Sequence, residues 1–299
     1  MSFRCIIIEN PAHLSVRNEQ LIVRTDTEHS LAIEDISALL LENRQSTITT
    51  AALSHLGQGG CAVFTCDEKH MPCAVLTPFC QHSRELSVLR SQLDVSEPRK
   101  KRLWQEIVRE KIRNQAICLQ LAGISEKAGA LFDMIENVHS GDTGNVEATA
   151  AQYYFPTLFG ENFTRAEDSG WNAGLNYGYA ILRGCVARTL AVYGFQPTLG
   201  LHHRSALNAF NLADDLMESL RPLIDLLVIR NIKRDDELIS THKRMLFNCL
   251  NLDILSGGQH HSVSYSVERM VQSLGKALAK KETALVLPRL LGVEQHRYE

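Results

Sequence analysis

The chain has 299 residues, 44% of them hydrophobic and 22% charged, which suits one large domain or two ordinary ones and excludes a disordered or collagen-like chain. Thirty-one Lys and Arg stand against 34 Asp and Glu, a formal net charge of −3, so the molecule as a whole offers no electrostatic attraction to a polyanion. The first apolar run, 5–8, stops at Glu9, and later runs are broken by charges such as Glu42 and Asp225. None approaches a signal-peptide core or the ~18 apolar residues of a membrane span, so a cytoplasmic protein is expected.

Residues 1–80 read as β-rich. Segments 5–8, 13–17 and 21–24 are short and β-prone, separated by Asn-Pro and Asn-Glu turn signals. Runs 36–41 and 61–66 are apolar and of strand length, 74–76 is shorter, and 49–56 is a short helix ending before Gly57. Many short strands with one helix fit a small sandwich-like domain. Cys61, Cys66, Cys73 and Cys80 cluster without a C-x-x-C pair, so reduced, mostly buried thiols are the preferred reading and a structural zinc site the weaker alternative.

From about residue 81 the texture becomes helical. Segment 83–92 is helical, Ser96-Glu97-Pro98 is a break, and a long helix follows with Leu103, Ile107, Lys111 and Gln115 along one face. Helical patterns continue over 119–136, 146–154, 171–193, 207–228, 235–246 and 267–278. The expected fold class is therefore α+β, a small N-terminal β-rich domain (1–85) followed by a larger all-helical C-terminal domain (86–299). The last residues, 292–299, read as a flexible docking tail.

Charge is uneven. Arg99, Lys100, Lys101, Arg102, Arg109, Lys111 and Arg113 face only Glu106 and Glu110 over 99–113. A solvated helix face is the ordinary meaning of such a run; tracking a phosphate backbone is the functional one.

Three stretches carry candidate chemistry. Glu147 falls in the first turn of a helix that Asn145 is expected to cap, a position that suits the macrodipole and also fixes a carboxylate on a rigid element. His202 and His203 follow the turn 197–200, and adjacent side chains point apart, so only one is expected to face a given site. Asp214, Asp215 and Glu218 crowd one side of an apolar helix, where like charges repel unless a cation sits beside them. Two carboxylates and one imidazole suit Mg²⁺ or Mn²⁺ better than structural Zn²⁺.

Four motifs in register carry a resemblance. Glu147-x-x-x-Ala151-x-x-Tyr154, Asp168-x-x-x-Asn172 with its Asn-Tyr-Gly-Tyr continuation, Pro197-x-Leu-Gly-x-x-His203 and Asp215-Leu-Met-Glu218-x-x-Arg-Pro222 together resemble the CRISPR-associated endonuclease/integrase family of spacer acquisition, the universal Cas1 family. The stretch 201–218 is similar to members from type II systems, and Ile33-Glu-Asp-Ile36 and Trp104…Lys111…Asn114-Gln115 extend the resemblance over nearly the whole chain.

The resemblance implies a metal-binding and catalytic triad of Glu147, His203 and Glu218; His203 is chosen over His202 because it lies six residues after Pro197. It makes Asp215, Tyr154 and Asn172 auxiliary residues and Mg²⁺ or Mn²⁺ the cofactor. The basic run supplies DNA contacts from Arg99, Lys100, Lys101, Arg102, Lys111 and Arg113, and Arg230, Lys233, Arg234, Lys243 and Arg244 are further candidates. The implied activity is insertion of captured DNA into a CRISPR repeat by 3′-OH attack. The implied partners are a second copy of the chain, with the N-terminal domain used for dimerisation or docking, and a small second CRISPR-associated adaptation protein. A branched-DNA nuclease, a non-catalytic DNA-binding scaffold and, last, a small-molecule hydrolase remain as alternatives.

Overall fold

The structure, a computed structural model, describes residues 4–76, 85–279 and 284–296. The chain forms two compact units, one within residues 1–81 and one within residues 82–297.

The first unit holds two four-stranded sheets. In one, β1 (Arg4–Ile8), β5 (Ile36–Leu41) and β7 (Ala62–Cys66) run parallel, and β8 (Pro72–Val75) closes the edge antiparallel to β7. Strand β5 is buried over most of its length, as an unbroken apolar run in a central strand requires. In the other, β2 (His13–Arg17), β3 (Gln20–Arg24) and β4 (Glu28–Ala32) form an antiparallel meander, and the two-residue β6 (Thr47–Ile48) pairs with β2 in parallel. Asn18 and Glu19 both adopt positive φ, 52° and 58°, giving the tight β2–β3 turn the twist that flanking strands accept. Leu14 and Leu21 from one sheet and Leu39 and Val63 from the other share one core with Leu56 of α1 (Thr50–Gln58). Thr49 caps that helix, its hydroxyl accepting from Ala52 N at 3.2 Å. Cys61 and Cys66 are buried and Cys73 is exposed; Cys80 lies outside the described residues.

The second unit is built on α3 (Glu97–Leu121), which buries Leu103, Trp104, Ile107, Val108, Ile112 and Leu119. The helix α2 (Glu85–Asp94) precedes it; residues 83–84 of the expected segment lie outside the described residues. The expected helix 119–136 is two, because Gly123 takes φ +85° and ends α3 before α4 (Ser125–Ile135) starts. The helices α5 (Val146–Phe159) and α6 (Gly170–Val192) follow. The expected helix 207–228 is also divided. Residues 207–210 precede α7 (Asn211–Met217), a single 3₁₀ turn spans Glu218–Leu220, and α8 (Arg221–Asn231) begins with Pro222 in its first turn. Next come α9 (Ser240–Phe247) and, after a hairpin, α10 (Val263–Ala279).

That hairpin corrects the all-helical expectation. Strands β9 (Asp253–Ser256) and β10 (Gln259–Ser262) pair antiparallel around Gly257-Gly258, both at positive φ. A Gly-Gly loop between two four-residue strands is a hairpin signal, but polar His260-His261 hides the strand pattern. The tail is corrected as far as it is described. Asp253 N donates to Glu294 O at 2.8 Å, and His296 N donates to Asn251 O at 2.9 Å, so the 292–296 segment is pinned beside β9.

Candidate active site

Glu147 is held by backbone capping from an unexpected residue. Asn145 adopts left-handed φ 51°, which takes it out of the extended conformation a capping side chain needs, so the expected Asn145 cap is replaced. Asp142 supplies it: Oδ1 accepts from Val146 N at 2.9 Å and Oδ2 from Glu147 N at 3.0 Å.

Lys111 is the second surprise. Its ammonium lies 2.6 Å from Glu147 Oε1 and 2.5 Å from Glu218 Oε2, so the two carboxylates stand on one cation. Glu218 also receives Arg221 Nε on Oε1 at 2.7 Å. Burial alone would raise the Glu218 carboxyl, but Lys111 and Arg221 outweigh it and hold it down at about 2. Burial alone would lower Lys111, yet the two glutamates outweigh it and move it upward, so its charge is secure. Arg221 in turn lies over the Tyr179 ring, 4.6 Å from its centroid.

The histidine loop is organised by Asp215, which is fully buried. Asp215 Oδ2 accepts from Leu201 N at 2.6 Å and His202 N at 3.0 Å, while Oδ1 accepts from His203 N at 3.1 Å and faces His203 Nδ1 at 2.6 Å. The Asp215 hydrogen bond, with help from Glu218 and Asp214, raises the His203 pKa against partial desolvation. A side chain on Gly200 would collide with His203 O and crowd Asp215 Oδ2, so this turn needs glycine. Trp104 of α3 stacks on His202, with ring centroids 4.2 Å apart and 4° between planes, and meets His203 edge-on at 5.8 Å. The loop continues through Asn208, whose Nδ2 donates to Asp214 Oδ2 at 2.7 Å, and Arg183 clamps that same Asp214 with Nε at 2.7 Å and Nη2 at 2.6 Å. A cleft of about 580 Å³ opens beside His203, with Lys100, Arg204 and Asn208 in its wall.

The remaining expected residues sort by position. Tyr154 is buried and donates to Asp225 Oδ2 at 3.0 Å; Tyr179 donates to Asp225 Oδ1. Asn172 sits at the start of α6, where its Nδ2 donates to Thr164 O and Glu167 O, both at 2.8 Å, and braces the preceding loop. Two of the six expected DNA contacts are corrected. Arg99 is buried with Nε on Ala277 O at 3.0 Å, and Lys111 is spent on the glutamates, because α3 is the central helix and one side of its basic run faces inward. Lys101 and Arg102 are exposed, Lys100 is half-buried 3.5 Å from Glu97, and Arg113 pairs with Glu110 at 2.5 Å. Lys243 is buried and Arg230 donates to Leu121 O. Gly200 and Arg221 entered the sequence reading only as letters of the histidine and last acidic motifs, with no role attached, and Asp142 and Arg183 were given no role there.

Among the described residues no three His, Cys, Asp or Glu side chains already stand as a metal cage. The donor chemistry nevertheless fits a hard divalent cation. Glu218 Oε2 is buried with the Lys111 ammonium beside it, and the Asp215 contact at His203 Nδ1 leaves Nε2 as the ring nitrogen available to a ligand.

Comparisons with known proteins converge on one family. The family model described as "CRISPR associated protein Cas1" matches residues 5–241. The chain is 44% identical over 304 residues to the CRISPR-associated endonuclease Cas1 of Neisseria meningitidis serogroup C, covering all of both chains. It is 25% identical to a CRISPR-associated endonuclease Cas1 of Saccharolobus solfataricus, over 78% of this chain and 76% of that one. In fold it is similar to a casposase bound to an integration product, with a TM-score of 0.75 at 18% identity over 94% of this chain and 92% of that one. The chain belongs to the CRISPR-associated protein Cas1 family.

Proposed function

We propose that this protein is a metal-dependent DNA endonuclease and integrase that inserts captured DNA fragments into a CRISPR array, acting in the cytoplasm. The observation that carries the reading is the meeting of Glu147 and Glu218 on one cation, beside a histidine whose ring is locked by Asp215. Glu147, Glu218 and His203 would hold Mg²⁺ or Mn²⁺, which when bound neutralises charge building up on a phosphodiester.

The chain's own residues do the rest. Arg221 keeps Glu218 oriented and ionised, and Asp215 keeps the His203 ring at one angle with Nε2 available. Lys100 and Arg204 share the wall of the cleft beside His203 with Glu97, which pairs with both, and leave a net positive charge to meet a phosphate backbone. The 3′-OH of the captured fragment attacks a repeat phosphorus; one P–O bond forms, the P–O3′ bond of the repeat breaks, and the proton of the attacking hydroxyl ends on the departing O3′, directly or through solvent. Bond count is conserved, so no nucleotide hydrolysis is required. The protein works as a homodimer with a small second CRISPR-associated protein, the N-terminal unit being the docking module; two of the solved structures similar in fold are described as Cas6-RT-Cas1–Cas2 complexes, one of them partial.

The test is strand transfer of a labelled fragment into a repeat-bearing plasmid, with and without divalent metal and partner protein. Glu147→Ala, His203→Ala and Glu218→Ala each abolish metal-dependent joining. Full joining by all three variants would overturn the site.

A further inference from the structure

The lysine between the two glutamates has a role that DNA contact does not describe. Lys111 is nearly buried, its side chain 11% exposed, and its ammonium touches Glu147 and Glu218 together. The helix carrying it is pinned close by. Asn114, one turn further along α3, donates from Nδ2 to Ser219 O at 2.7 Å and to Pro288 O at 2.9 Å, which fixes α3 against the 3₁₀ turn that bears Glu218. Glu147 is fixed from the other side by the Asp142 cap at the start of α5. Both carboxylates are therefore delivered to one point by rigid backbone, whatever lies between them.

Two ionised carboxylates brought this close repel strongly in a site with little water. The lysine removes that repulsion. A hard divalent cation held by Glu147 and Glu218 would compete with the ammonium for these carboxylates, the other Glu218 oxygen being taken by Arg221. The two cations cannot both lie within contact distance of both oxygens without repelling one another.

We propose that Lys111 is the resident counter-ion of the Glu147–Glu218 pair, and that a divalent metal enters by displacing its ammonium. This rests on the metal-site reading above. The lysine keeps the two carboxylates assembled in the metal-free protein and weakens metal affinity in doing so. Only the side chain has to move, because α3 is held by Asn114 and the buried side of the helix. A flexible four-carbon stem suits that exchange better than the planar fork of arginine.

The test is Mn²⁺ binding by calorimetry on the full chain, comparing the wild type with Lys111→Met, Lys111→Arg, Glu147→Gln and Glu218→Gln. Lys111→Met is expected to bind Mn²⁺ about tenfold more tightly, ~1.4 kcal/mol, and to melt at a lower temperature without metal but recover with it. Lys111→Arg, which keeps the charge, gains no affinity. Binding to Lys111→Met that is equal to or weaker than wild type overturns the proposal. Should Lys111→Met not fold without metal, a crystal structure of the wild type with Mn²⁺ decides: the ammonium must have left at least one glutamate, and an ammonium still bonded to both beside a bound Mn²⁺ overturns it. If neither glutamine variant weakens Mn²⁺ binding, the metal-site reading itself fails and the exchange with it, an outcome distinct from a lysine that merely does not compete.

Discussion

Asp215 shows how much of the site depends on one side chain that touches no substrate. Three backbone N–H groups and the His203 ring converge on its two oxygens. Asp215→Ala would leave those donors unpaired in a buried place and should cost on the order of 3 kcal/mol, read by urea unfolding. Asp215→Asn keeps the shape but removes the charge, so the His203 pKa should drop from its raised value, read by proton NMR of the imidazole. The sign follows from the folded state: His203 favours its protonated form, so this contribution to stability is complete below pH 6.5 and is lost as pH rises through the raised value. An unmoved His203 titration in Asp215→Asn would mean that the contact does not govern the ring. At this scale Glu147, His203, Asp215 and Glu218 were legible because motif spacing marks them. Lys111 was placed on the same face of α3 as Leu103 and Ile107, yet it was read as a DNA contact because it also belongs to the basic run, and charge counting does not say that this face turns inward.

At the scale of elements, α5, α6 and α8 are joined at Asp225, whose carboxylate takes the Tyr154 and Tyr179 hydroxyls. Burial pushes this acid up to about 6, against the pull of the two hydroxyls and Arg221. An acid whose folded pKa lies above its unfolded value of 3.8 favours folding below that value and loses the benefit as pH rises through 6. Across pH 4 to 6 the free energy of unfolding of the wild type should therefore fall relative to Asp225→Asn by on the order of 3 kcal/mol. A pH-independent difference in urea unfolding would show that the carboxyl titrates normally. Close packing supports the same junction: Gly174 and Gly178 of α6 leave no room for a side chain against Ile232 and Ile224. Helix positions in this unit followed from apolar periodicity, but helix ends did not. Gly123 at positive φ, the 3₁₀ turn at Glu218 and the Gly257-Gly258 hairpin are backbone decisions made within a few residues, and an eleven-residue periodicity window averages over them.

At the scale of the whole molecule, a net charge of −3 coexists with a basic helix because part of that helix's charge is internal. Lys111 and Arg99 are taken up by Glu147, Glu218 and Ala277 O, leaving Lys101 and Arg102 as its most open cations. Lys101→Ala with Arg102→Ala should flatten the plot of log affinity for DNA against log salt by about two, one for each lost phosphate contact. Fluorescence anisotropy across a salt series measures this, and an unchanged slope would remove both residues from the DNA path. The division into a β-rich first part and a helical second part was visible in composition. Strand β4 was not, since most of Glu28–Ala32 is exposed and polar and shows little alternation.

The stack of Trp104 on His202 gives the site an optical signature. An imidazole stacked face-to-face on an indole changes its emission, so Trp104 should brighten or dim when the loop carrying the histidine pair moves. The chain has only one other tryptophan, Trp171, which donates its ring N–H to Ile232 O at the start of α6 and so serves as an internal reference. The protein thus carries a label-free reporter on the loop that presents His203, able to follow events at that loop in real time without any modification of the DNA.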